Sequence, residues 1–217
     1  MNLLFSTFLV IHIASGAIAL FSGLVSMASA KGKKSHRVAG NIFFWAMAGV
    51  FVSSVYMSLF KSNWFLLCVG FFSFYLTSSG YMALKVKSDA GARNFKRLYI
   101  LVYWSGLLAG LVMLGLAAAL FYNLSMFGTV PATFGLISIS LGLLDYRILA
   151  AKADRKNSWV TNHALRMGGA FTATITAFIV VNIQIEQQWV LWLLPTAVVI
   201  PATRIILSKF KAQKAFM

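Results

Sequence analysis

Apolar residues run through this chain in seven long stretches, and polar residues collect between them. The stretches 3–30, 38–60, 64–84, 98–122, 131–150, 165–185 and 189–207 are dominated by Leu, Val, Ile, Phe and Ala. About 20 such residues, rising ~1.5 Å each as helix, cross the ~30 Å hydrocarbon layer of a bilayer. The pattern predicts an all-α, polytopic membrane protein: one domain over 1–217, built from seven transmembrane helices.

Polar residues inside the stretches are few and periodic. In the first, His12, Ser15, Gly16, Ala19, Ser22, Gly23 and Ser26 recur at helical spacing and form one small, polar stripe. Gly70, Ser73, Thr77 and Gly80 repeat the device in the third, and Gly135, Ser138, Gly142 and Asp145 in the fifth. Small residues let helix backbones approach and hydroxyls bond across helices, so these three spans are expected to line a common interior. Gly106, Gly110 and Gly115 give the fourth span a packing face with no titratable group. Pro195 and Pro201 interrupt the seventh, freeing carbonyls that can line a cavity or form a hinge.

Composition agrees with lipid as the solvent: 60% of residues are hydrophobic and 11% charged, against about 25% charged in soluble domains. A net charge of +15 would suggest nucleic acid in a soluble protein, but here the charges lie between spans, which argues against that partner and for the bilayer. With seven spans, all but Lys61 of the 19 lysines and arginines fall on one side, in 31–37, 85–97, 147–166 and 204–214. The positive-inside rule then places the N-terminus outside and the C-terminus in the cytoplasm of an inner-membrane protein. Ala28-Ser29-Ala30 imitates a signal-peptide cleavage site, but basic residues follow the first span rather than precede it, so the span is expected to be retained. Gly91 and Asn157-Ser158 supply turn and cap chemistry in the basic connections, while Trp64, Tyr122 and Trp189 mark the opposite boundary. Cys68, the single cysteine, excludes an internal disulfide.

Spans one to three and five to seven share an orientation. His36 and His163 open corresponding spans, each followed at similar distance by a tryptophan, Trp64 or Trp189. A 3+1+3 parallel repeat about the fourth span is the arrangement this suggests.

Few groups can carry chemistry. His12 sits well inside the first span, and ionisable residues at that depth are functional candidates, although a neutral histidine bonded to a serine is the plainer alternative. His36, Arg37, Asp145, His163 and Arg166 all fall at the basic boundary and are expected to form one inner polar cluster. That cluster allows a salt-bridged lock, a metal site on His36, Asp145 and His163, or a b-type haem between His36 and His163 with Arg37 and Arg166 for the propionates. Zinc hydrolysis fits poorly: His12 and His36 should stand about 20 Å apart along the membrane normal, and no acid or base remains beside the other three. No catalytic residue is assigned.

The run His12-x-x-x-Gly16, Ala19-Leu20-Phe21-Ser22-Gly23, Lys31-Gly32 and His36-Arg37-x-x-Gly40-x-x-Phe43-Phe44 resembles a bacterial family of predicted membrane proteins, domain of unknown function 2306. His163-x-x-Arg166-Met167-x-Gly169-Ala170, continuing to Val181-Asn182, is similar to a second signature of that family, and Leu194-Pro195-Thr196 with Pro201 to its C-terminal segment. The resemblance implies a polytopic inner-membrane protein and puts His12, His36, Arg37, His163, Arg166 and Asn182 on signature positions. It brings no activity or cofactor with it.

The sequence favours a binding or transport role over an enzymatic one. A small molecule or proton would meet His12, Ser15, Ser22 and Asn182 in the bundle, with the inner cluster as gate. The alternatives are a haem-bearing redox protein and an accessory or scaffold subunit. Ligand, oligomeric state and the presence of haem or metal are left open.

Overall fold

In a computed structural model, which describes residues 3–150 and 152–215 and only the backbone of 89, 149, 152–157 and 210–215, every element is helical. The order is α1 Leu3–Ala28, α2 Lys34–Phe60, α3 Trp64–Lys85, α4 Asp89–Tyr122, a 3-10 turn Met126–Gly128, α5 Thr129–Ala150, α6 Lys152–Asn182 and α7 Gln188–Ala215. All seven α-helices are long and apolar enough to cross a membrane. The largest departures from the expected boundaries are at the basic ends of α4 and α6, which begin well before their apolar runs. Asn157 and Ser158 accordingly lie within α6 and do not cap it. Helical hydrogen bonding satisfies the backbone whether or not lipid surrounds it, so a helix need not stop where its greasy face does.

Local chemistry fixes the turns. Lys31 reaches back to donate to the carbonyls of Met27, at 2.5 Å, and Ser26, at 3.2 Å, satisfying two orphan acceptors at the end of α1. Gly32 then takes φ +76°, open to glycine at little cost, and the chain turns into α2. Asn63 Oδ1 accepts from the Leu66 amide at 3.0 Å to start α3, and Ser88 Oγ accepts from the Gly91 amide at 3.1 Å to start α4.

The helices pack as two hairpins, α1–α2 and α4–α5, beside a central pair, α3 and α6, with α7 laid along α6. The small-residue stripes choose these partners one at a time and do not share an interior. Ser15 lies at Gly49 of α2, where an added Cβ would stand 2.6 Å from its hydroxyl oxygen. Gly80 of α3 packs on Arg166 and Met167 of α6, and Gly135 of α5 meets the carbonyl of Gly110 of α4. Ser138 adds a hydrogen bond to the Gly106 carbonyl at 2.6 Å. Gly115, expected on the same packing face, has open space beside it. The expectation that spans one, three and five converge is therefore corrected: a stripe of small residues buries itself against the nearest helix that can approach it. Nor do the two triplets of the suggested repeat pair alike, since α1 lies along α2 whereas α5 lies along α4 and only touches α6.

The apolar core gathers Phe43, Met47, Phe72, Leu76, Met113, Phe134 and Phe171. Phe72 and Phe134 stack at 5.4 Å.

Candidate functional site

The five residues expected in one polar cluster separate into two sites on α6. Arg166 goes to the first, together with Asp145 from α5, Tyr75 and Ser79 from α3, and Tyr99 from α4. Asp145 is fully buried and Arg166 is 1% exposed. Arg166 Nη2 meets Asp145 Oδ1 at 2.7 Å. The carboxylate also accepts from the Tyr75 hydroxyl at 2.6 Å and the Tyr99 hydroxyl at 2.5 Å. The guanidinium further donates to Tyr75 Oη at 2.9 Å, Ser79 Oγ at 3.0 Å and the Leu141 carbonyl at 3.2 Å. An ion pair away from water is tolerable only when the charges neutralise each other and hydrogen bonds surround them, and here both carboxylate oxygens and both terminal guanidinium nitrogens are engaged.

His36 and His163 form the second site, with ring centres 6.3 Å apart and planes at 82°. His36 Nδ1 lies 3.0 Å from the Ser26 carbonyl at the end of α1, with Ser26 Oγ at 3.2 Å, and His163 Nδ1 lies 3.0 Å from the Gly80 carbonyl of α3. A carbonyl only accepts, so each Nδ1 carries its proton, and in the neutral ring Nε2 then keeps a lone pair. Neither Nε2 has a hydrogen-bond partner among the described residues.

Both rings line a cavity of about 1030 Å³ at the basic end, between α1, α2, α3, α6 and α7. Its volume stands at the upper end of the ~300–1,000 Å³ range of small-molecule and cofactor sites. Phe43, Phe171, Met167 and Leu207 give it apolar walls. Lys31, Lys33, Arg37, Lys85 and Lys87 also border it, and the described lining residues include no Asp or Glu. The Lys87 ammonium sits 5.0 Å over the Trp159 ring, and that of Lys85 5.3 Å over Tyr81. Burial lowers the Lys31 ammonium below its ordinary pKa. An occupant of matching chemistry has an apolar body, acidic groups at the mouth and a centre that takes two imidazole nitrogens.

The donor set fits a b-type haem. A metal shared by the two imidazoles would need their ring centres about 6 Å apart, counting a ~2 Å metal–nitrogen bond and ~1 Å from nitrogen to ring centre on each side. The observed 6.3 Å agrees. Carbonyl acceptors on the far nitrogens fix the orientation of metal-binding histidines, and the Ser26 and Gly80 carbonyls stand in that position here. A metal centre on His36, Asp145 and His163 is corrected: Asp145 is held by Arg166 and the tyrosines, and the described residues contain no cluster of three such ligands. Arg166 is likewise unavailable for propionates, whereas Arg37 is exposed at the rim of the cavity.

The other expected residues do not join either site. His12 Nδ1 meets Ser53 Oγ at 3.0 Å. Ser53 directs its own proton to the Gly49 carbonyl at 2.7 Å, so the histidine is the donor in a link between α1 and α2. Ser22 bonds back to Ile18 at 2.6 Å. Asn182 is exposed at the far end of α6 and bonds to Phe178 at 2.8 Å. Sequence reading missed Tyr75, Tyr99 and Ser79; buried hydroxyls at helical spacing around an intramembrane carboxylate were the signal available. It also missed Lys31, whose place three residues past the end of α1 suited it to cap.

Fold and site together define a seven-helix membrane protein with a histidine pair in a basic cavity at one end. Residues 9–113 match the model of a family described as predicted membrane protein (DUF2306). The match takes in His12, His36, Arg37 and the first signature; the second signature and the proline segment lie beyond it. No curated protein and no solved structure matches the chain.

Proposed function

We propose that this protein is a b-type haem-binding membrane protein with a redox role, in which His36 and His163 would hold the iron. One observation carries the reading: two imidazoles from different helices, each with Nδ1 tied to a carbonyl, face one cavity at a 6.3 Å separation. A haem bound there supplies a one-electron couple. The Ser26 and Gly80 carbonyls hold both rings in the tautomer that presents Nε2. Phe43, Phe171 and Met167 exclude water from the apolar side, and the lysines and Arg37 at the mouth neutralise acid groups. By the positive-inside rule this mouth faces the cytoplasm.

The transport reading through His12 has less support, because that histidine is engaged between two packed helices and does not line the cavity. The deciding experiment is an absorption spectrum of protein purified in detergent from cells supplied with a haem precursor. A Soret band is expected, lost in His36→Ala and in His163→Ala and kept in His12→Ala. A colourless wild-type preparation would refute the reading.

A further inference from the structure

We infer that Arg166 is a positioning residue for His163, acting through the Ser79-Gly80 step of α3; its relevance to haem rests on the function proposed above. Arg166 and His163 stand three residues apart on α6, close enough to address one neighbouring helix together. Both address consecutive residues of α3: Arg166 Nη1 donates to Ser79 Oγ at 3.0 Å, and His163 Nδ1 to the Gly80 carbonyl at 3.0 Å. Gly80 permits this proximity, since an added Cβ would stand 3.0 Å from Met167 Sδ and 3.1 Å from Arg166 Cβ.

The guanidinium cannot shift freely. Its Nη2 is held by Asp145 at 2.7 Å and by the Leu141 carbonyl at 3.2 Å, both on α5, while Nη1, besides Ser79, donates to Tyr75 of α3 at 2.9 Å, so α5 and α6 bear on α3 through one rigid fork. The network thus sets the height and rotation of α6 against α3 and keeps the Gly80 carbonyl in line with one imidazole nitrogen. His36 has a separate anchor on α1, the Ser26 carbonyl, which it shares with Lys31. The two ligand histidines are therefore held independently, and only one depends on the ion pair.

Nitrogen NMR of the haem-free protein labelled at histidine tests this directly, comparing wild type with Ser79→Ala, Tyr75→Phe and Arg166→Lys. Wild type should give Nδ1-protonated signatures for both His36 and His163. In the variants the His163 signals should move towards a mixture of tautomers while those of His36 stay in place. Ser79→Ala and Tyr75→Phe each remove one hydroxyl and keep the ion pair, so they serve if Arg166→Lys fails to fold. Unmoved His163 signals overturn the inference, as does an equal disturbance of both histidines, which would mark general loosening. Because the readout needs no haem, a colourless wild type defeats the proposed function and leaves this test standing.

Discussion

Two polar sites lie side by side on α6 and have opposite character. At Arg166 the guanidinium and its carboxylate partner are ringed by hydrogen bonds with two tyrosines, a serine and a backbone carbonyl, with almost no solvent contact. At His163, one helical turn away, an imidazole uses one nitrogen on a carbonyl and leaves the other beside a large void. Burial and charge alone would rank Arg166 and Asp145 as the more notable pair. Unused bonding capacity facing open space is the better mark of a binding site, because a saturated network can only hold what it already holds.

The contrast is sharpest in stability. Asp145→Ala should cost about 3–5 kcal/mol, since it strands a buried cation, read as a loss of melting temperature or denaturant midpoint in detergent. Asp145→Leu combined with Arg166→Met should recover much of that loss; if the single variant is already as stable as wild type, the network is not the lock described. Gly80→Ala, placed between the two sites, should cost about 1–3 kcal/mol through overpacking and should also weaken ligand retention, which a spectrum after reconstitution would register.

Smaller effects should separate the sites further. His36→Ala and His163→Ala each forfeit one hydrogen bond at the edge of a cavity, about 1 kcal/mol, so the haem-free variants should melt near wild type while losing all absorbance. Substantial unfolding of either would move the histidines to the structural side of the comparison. His12→Ala should cost roughly 0.6 kcal/mol, the usual size of a polar contact between membrane helices, with no effect on the spectrum. Lys31→Met, which uncaps α1, should lower stability by about 0.3–1 kcal/mol.

Much of this was legible without coordinates, and the misses are of one kind. His36 and His163 were readable as partners, because both open spans at the same boundary. Asp145 was readable as needing a cation, but four candidates lay at its depth, and only the rotation of each helix selects among them. One residue of rotation is about 100° around a helix, so Arg166 and His163, three apart, share a side of α6 and still reach different neighbours. Tyr75 and Tyr99 escaped notice because a tyrosine in a greasy stretch is ordinary membrane chemistry until its hydroxyl is seen to meet a carboxylate. The serine and glycine stripe of α1 was seen as a packing face, yet its neighbours are α2 at Ser15 and Phe171 of α6 at Gly23, and Gly16 has open space beside it.

Taken alone, the amino-acid order settled the number of spans, their helical nature and the clustering of basic residues between them. These are sums over local properties: how long an apolar run is, what its residues cost in lipid, and where charge interrupts it. Only the assembled bundle decided that Asp145 belongs to Arg166, that His36 faces His163, and that a void opens between those rings. Such pairings depend on how seven helices are turned and how closely their glycines let them approach, and no local sum contains that information.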